Sequence, residues 1–297
     1  MQGVANSREY ILVWDSTMSN PNGDILNDNR PRMDETTNFL EVSDFRIKRY
    51  IRDELISMGE NVLVQITYNE KGKVKTCAKR IEEIKKESGL KKDDELIKYI
   101  LDNYIDARLF GYVITSPKKN LTGPLQVTWS RSLNRCIIDE KQGTGSYASG
   151  EGKDQATIWT SYICPYALFK TYMAFNQNTA LKNEVPTTED DINKFIEALL
   201  NGMRNYRSSS KNQMPRLLIE VVYNNNKLDG ELDCITINKD IEDEDLRSIS
   251  QTSVDISKLN DYYRHRKDDI KKVNLYVHKS VSLDNLDNTL GFNIKTI

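Results

Sequence analysis

The sequence predicts an α+β protein in which strand, helix, two strands, helix and strand follow one another, the ferredoxin-like or RNA-recognition-type order (βαββαβ), with long insertions. Three observations carry this expectation. Residues 8–15, REYILVWD, alternate and are rich in β-formers, the pattern of a strand that starts a core. Residues 43–57 place Ile47, Ile51 and Leu55 four apart behind Ser43, the spacing of an amphipathic helix with a serine N-cap. Residues 215–223, PRLLIEVVY, are nearly all apolar or β-branched, as expected near the centre of a sheet.

Taken in order, residues 16–41 after the first strand carry Asn-Pro, Asn-Gly and Arg-Pro punctuation and too few periodic apolar positions for an element. They read as a long loop, and loops of that length inside a compact domain are functional or disordered. Residues 62–68 and 72–77 read as a hairpin, and residues 78–104 as a charged helical stretch with a solvated face. Residues 123–133, GPLQVTWSRSL, read as a strand with residues 156–163, ATIWTSYI, as its partner. Between them, residues 134–155 have a glycine-rich centre with little to bury and should project from the body. Residues 165–176 read as a short apolar helix or helical turn. Thr187 or Thr188 caps a helix to about Arg204, with Ile192, Phe195, Ile196 and Leu199 along one side. Residues 228–237 read as a hairpin partner for residues 215–223. An acidic stretch (240–245), a basic helical candidate (259–272) and a final strand (273–278) follow, and there is no internal repeat.

Composition excludes more than it selects. The 297 residues can build one large core with a substantial insertion, so a single domain over residues 1–297 is the expectation. The balance of 42 Lys+Arg against 44 Asp+Glu gives a formal charge of −2, so nothing global announces nucleic acid. No apolar run approaches the roughly 20 residues that span a bilayer, and MQGVANSREY lacks a signal-peptide pattern, which makes a cytoplasmic protein without a membrane partner the default. Cys77, Cys136, Cys164 and Cys234 form no Cys-x-x-Cys pair and read as reduced structural thiols. His265 and His278 leave little for histidine-based metal binding or a Ser-His-Asp apparatus. No cofactor is expected.

Four segments carry chemistry suited to a polyanion, each with a structural alternative. Asn20-Pro21-Asn22-Gly23-Asp24, continuing to Arg30-Pro31-Arg32, offers asparagine side chains and backbone amides to phosphate and 2′-hydroxyl oxygens, or is an ordered structural loop. Asp24, Asp28 and Asp34 can alternatively bind a hard cation, although EF-hand spacing is absent. In the helix over residues 43–57, Arg46, Lys48, Arg49 and Arg52 can follow a phosphate backbone, or pair with Asp44, Asp53 and Glu54 on an ordinary wet surface. Arg131, between Ser130 and Ser132, leads into the projecting segment. Ile137, Ile138 and Tyr147 could form an apolar wedge there, with Lys141 and Lys153 along a backbone, or the segment is a mobile loop. Finally, Arg207 and Lys211 flank three serines at a helix exit, a phosphate site or a solvated connection.

Together these segments resemble one family, the Cas seven backbone subunits of type I CRISPR surveillance complexes (Cascade), most like type I-B. The resemblance is carried by NPNGDILNDNRPRMD, LEVSDFRIKRYIRDEL, GPLQVTWSRSLN and YRSSSKNQMPRLLIEVVY, in the family's order over most of residues 7–224. It implies an RNA-recognition-like palm, an inserted finger region at residues 61–118 and a thumb at residues 134–155. It also implies a non-catalytic, antiviral subunit that polymerises head to tail along the spacer of a CRISPR RNA beside other Cascade subunits. The guide is then exposed for pairing with target DNA. On that reading Asn20, Asn22, Arg30, Arg32, Ser43, Arg46, Lys48, Arg49, Arg52, Arg131, Arg207 and Lys211 are the RNA-contact candidates. Ile137, Ile138, Tyr147 and Lys153 belong to the thumb. The alternative is a metal-dependent target-RNA endonuclease using Asp24 or Asp34, as in related type III subunits. The acidic residues Asp243 and Glu244 are expected to help neighbouring copies dock.

Overall fold

The computed structural model describes residues 3–148, 156–230 and 232–297. β1 (Arg8–Ser19) is longer than expected and buried along nearly its whole length. The expected loop after it is largely short strands: β2 (Gly23–Asp24) pairs with β3 (Arg30–Pro31), and β4 (Met33–Asp34) with β5 (Phe39–Val42). α1 (Asp44–Ser57) buries Ile47, Ile51 and Leu55, the predicted stripe.

The next stretch departs from expectation at several points, as does the chain beyond it. The hairpin expected over residues 62–77 is reduced to one antiparallel bridge, Tyr68 to Val74, with the Lys75 N–H on Thr67 O and the Asn69 N–H on Lys73 O, and Cys77 is already helical, with the Thr76 side chain accepting the Lys79 N–H. The charged helix is two, α2 (Cys77–Ser88) and α3 (Asp93–Asn103), divided at Gly89, whose φ of 69° is a left-handed cap. α4 (Ile105–Phe110) and the hairpin β6 (Gly111–Thr115) and β7 (Lys118–Thr122) complete this region, which has its own small core around Ile81, Ile84, Leu96 and Ile100. The predicted strand over residues 123–133 is interrupted, giving β8 (Leu125–Val127) and β9 (Ser130–Arg135).

β10 (Asp139–Ala148) and β11 (Ala156–Phe175) follow, and β11 overturns the helix expected at residues 165–176. Its first part pairs with β10, ending at Ile163 opposite Asp139, and its second part pairs with β1, starting at Cys164 opposite Ser19. Pro165 follows Cys164, inside the part that pairs with β1. It lies opposite Met18, whose φ is 47° and which is absent from the pairing register, so the missing N–H interrupts no ladder bond there. β8 and β9 therefore pair with the C-terminal half of β11, not with residues 156–163.

α5 (Gln177–Lys182) leads to α6 (Glu189–Asn205), where Thr188 and Asp191 form a reciprocal capping box. β12 (Gln213–Tyr223) lies beside β1, as its apolar sequence requires. The expected hairpin from residues 228–237 does not form; β13 (Thr236–Asn238) joins β14 (Ser253–Asp255) in a separate sheet. α7 (Ser257–Arg266) and β15 (Ile270–Val277) follow. β15, the strand expected to be last, is succeeded by β16 (Ser282–Asp284) and β17 (Asn293–Thr296).

The main sheet runs β17-β15-β12-β1-β11-β9-β5-β4. Alternation along β1 divides its side chains: Tyr10, Leu12 and Trp14 face the core under α1 and α6, and Ile11 and Val13 face a second core closed by residues 232–259. α1 and α6 approach closely at Gly202, where an added Cβ would lie 2.4 Å from the Tyr50 carbonyl oxygen. That contact fixes α1, and the cations it carries, against the end of α6. Among the described residues no helix is long and apolar enough to cross a membrane.

Candidate nucleic-acid interface

The predicted cations of α1 divide into one with no carboxylate partner and three that are neutralised. Lys48 pairs with Asp44 at 2.9 Å, Arg49 with Asp53 at 2.6 Å, and Arg52 with Asp106 at 3.0 Å. The Arg52 pair is architectural. Fully buried Asp106 also accepts the N–H groups of Leu63 (2.6 Å) and Val64 (3.1 Å), pinning the start of the inserted region to α1, and Arg52 lies over the Phe110 ring. Arg46 instead donates to the Tyr50 hydroxyl at 3.1 Å, with its guanidinium over the Tyr50 ring.

Lys211 reaches Arg46 from the other side of the molecule's sequence. The connection after α6 folds back on the end of β1, with Asn20 N–H on Ser210 O and Thr17 N–H on Asn212 O. Lys211 Nζ donates to the Asn20 carbonyl. Burial, assisted by the nearby Arg46 charge, pulls the Lys211 ammonium down to about 8. Among the described residues neither Arg46 nor Lys211 forms an ion pair. An anion placed beside two partly desolvated cations relieves both the desolvation and the mutual repulsion.

The asparagine loop frames this pair. Asn22 Oδ1 accepts the Ser43 N–H at 2.8 Å, tying the loop to the start of α1, and the cap bond expected of the Ser43 hydroxyl is not made; the Arg46 N–H goes to the Ser43 carbonyl instead. Asn20 is buried, donating to Asn29 O at 2.6 Å, with its own Oδ1 unpartnered. Asn20, Asn22, Ser43, Arg46 and Lys211 thus converge. Arg207 is exposed nearby, donating to Arg204 O and approaching the Met214 sulfur.

The remaining candidates lie toward the β10–β11 hairpin. Arg30 stacks over the Tyr162 ring at 4.2 Å, and Arg32 pairs with Asp24 at 3.3 Å. Arg30, Arg32 and Asp24 line a cleft of about 410 Å³ with Glu35, Glu41, Trp129 and Ile138. Arg131 donates to Asp34 (3.1 Å) and to Thr37 Oγ1 (2.9 Å) across the Phe39 ring. Asp34 is the organiser of that turn, accepting from the Thr37 hydroxyl and the Thr36 N–H, which lower its carboxyl below the usual range. Asp24 and Asp34 are therefore both engaged by side chains, and among the described residues no acidic, cysteine or histidine cluster could hold a metal ion.

Within the segment expected to project, residues 139–148 form strand β10, paired with residues 156–163 of β11. Ile137 is exposed, whereas Ile138 packs against the main core. Tyr147 falls within β10 but its side chain lies outside the described residues, as does Lys153 altogether. Sequence reasoning missed Ile158 and Trp159, exposed on the returning strand; the signal was an Ile-Trp pair at opposite parities in a strand with one face to bury. The Trp159 ring lies across Gly143, where an added Cβ would come within 2.4 Å. The expected docking residues Asp243 and Glu244 are partly exposed and already engaged within the chain: Asp243 binds Lys239 and the Arg135 N–H, and Glu244 reaches Arg135 at 3.4 Å.

A large mixed sheet layered with helices, with the half-buried Arg46 and Lys211 beside the end of β1, defines an α+β protein. The comparisons make the class specific. The family model for CRISPR-associated protein Cas7 matches residues 6–257, and the chain belongs to that family. It is 26% identical to the CRISPR-associated protein Cas7 of Haloferax volcanii over 316 residues, covering 96% of this chain and 91% of that protein. The fold is similar to a chain of a CRISPR RNA-guided surveillance complex in a pre-nicking state (TM-score 0.60, 13% identity, 98% of this chain and 96% of that one). A second chain, from a CRISPR RNA-guided surveillance complex, gives a TM-score of 0.54 at 13% identity, covering 97% and 94%.

Proposed function

We propose that this chain is a non-catalytic backbone subunit of a type I CRISPR surveillance complex, most like type I-B, that binds CRISPR RNA along its spacer. In this reading β1, α1, β9, β11, α6 and β12 are an RNA-recognition-like palm, residues 61–118 are the fingers, and residues 134–155 are the thumb. Copies add head to tail beside other subunits, and the guide is presented to target DNA. The observation that carries it is the half-buried Arg46–Lys211 pair, which lacks a carboxylate partner among the described residues and is framed by Asn20, Asn22 and Ser43.

Contacts of this kind address phosphate and sugar, leaving sequence to base pairing, as a subunit that accepts any spacer requires. Lys48 and Arg49 lie on the same helix but are already neutralised, so they rank behind Arg46. The engagement of Asp24 by Arg32, and of Asp34 by Thr37 and Arg131, favours the non-catalytic reading over a target-RNA nuclease. The test is binding of single-stranded RNA to the Arg46→Ala, Lys211→Ala double variant across a salt series. Loss of two phosphate contacts lowers the slope of log affinity against log salt by about 1.4. An unchanged slope removes the pair from the interface, and periodic Mg²⁺-dependent cuts in complementary RNA, abolished by Asp24→Ala or Asp34→Ala, overturn the non-catalytic reading.

A further inference from the structure

Strand β12 is bulged at one residue where it pairs with β1. The register passes from Val13 opposite Leu217 to Trp14 opposite Pro215, leaving Arg216 as the extra residue. A bulge of this kind re-aims the side chain it carries. Arg216 Nε donates to buried Asp15 at 2.8 Å, and Asp15 also accepts from the Tyr166 hydroxyl at 2.9 Å. Its Nη1 reaches Ser280 Oγ at 2.9 Å and His278 Nδ1 at 3.3 Å, while the Arg216 carbonyl accepts the His278 N–H at 2.8 Å. The turn after β15 is thus bolted to the sheet by one bulged arginine.

The histidine's proton is assigned by its neighbours. Two N–H donors, Ser280 N at 3.2 Å and Arg216 Nη1, converge on Nδ1, so Nδ1 accepts and the neutral ring carries its proton on Nε2. Burial, then the charges of Arg216, Arg204 and Lys279, disfavour the imidazolium further. Asp15 supplies one carboxylate here, and it is spent on Arg216 and Tyr166. Among the described residues Arg204, Arg207 and Lys279 form no ion pair. The Ser280 hydroxyl, 2.8 Å from the same Nδ1, gives its proton to it, so the cluster offers an excess of positive charge and a neutral N–H donor with no bond to it among the described residues, at the end of the sheet where β1 continues from Asp15 toward Asn20.

We propose that this cluster, Arg204, His278 and Lys279 with the histidine positioned by Arg216 and Ser280, is a second phosphate seat that extends the RNA track beyond Arg46 and Lys211. Cations supply the long-range attraction, and His278 contributes a directional hydrogen bond without adding charge. His278, Lys279 and Ser280 lie outside residues 6–257, the part matched by the family model. This inference rests on the RNA-binding reading above.

The experiment uses the full chain and an oligoadenylate, measured across salt concentrations, with thermal melts to verify folding. The Arg204→Ala, Lys279→Ala variant should lower the salt slope by about 0.7 per lost contact, about 1.4 in all. His278→Ala should weaken binding about five-fold, the effect of one ordinary hydrogen bond, with the slope unchanged. If the slope stays at the native value in the Arg204, Lys279 variant but falls in the Arg46, Lys211 variant, the second seat is wrong and the RNA-binding reading stands. A native chain that does not bind oligoadenylate at low salt overturns both.

Discussion

Lys211 provides a pH signature that only an anion placed beside it can generate. In the free chain its ammonium is held down to about 8 by burial and by Arg46, so above that pH it is mostly neutral. A bound phosphate favours the charged form, so binding takes up a proton and affinity falls as pH rises. Each unit above about 8 costs about 1.4 kcal/mol while the bound-state value stays higher. Between about pH 7 and about pH 9.5 the loss is then about 2 kcal/mol, a roughly thirty-fold weaker dissociation constant. Oligoadenylate suits the assay because its bases do not titrate in this range. Fluorescence anisotropy at fixed ionic strength should show this decline for the native chain and a flat profile for Lys211→Arg, whose charge persists throughout. A native profile as flat as that of the arginine variant would refute the placement of phosphate at Lys211.

Two other consequences concern the frame that holds the site. Gly202→Ala should destabilise the protein by about 2 kcal/mol in urea unfolding, because its Cβ meets the Tyr50 carbonyl at 2.4 Å and the two helices must separate; a change near zero contradicts that close approach. Asp106→Asn should cost about 3 kcal/mol, since an amide N–H faces donors from Leu63, Val64 and Arg52 where the carboxylate accepted all three. Native stability in that variant would mean the inserted region is held elsewhere.

What the sequence revealed follows from the range of the forces involved. Local patterns were legible: the α1 stripe, the Thr188 cap and the buried β12 are each set by neighbours within a turn or a strand. Pro165 misled because its acceptability depends on the irregularity at Met18, more than a hundred residues away in the chain. The cations were visible as residue types, but their availability was not. Lys48 and Arg49 are neutralised by carboxylates four residues along, which helical spacing does disclose, whereas Asp106 claims Arg52 from 54 residues away. Lys211 joins Arg46 only because the chain after α6 returns to the end of β1. The bulge at Arg216 and the turn it anchors had no local signal at all.

The most direct test of the account is a structure of several copies assembled on one single-stranded RNA. The account predicts phosphates within hydrogen-bonding reach of Arg46 and Lys211 in every copy, with Arg52 still bound to Asp106 and each hairpin of β10 and β11 lying over its neighbour's stretch of RNA. An RNA path that leaves Arg46 and Lys211 in solvent would contradict it.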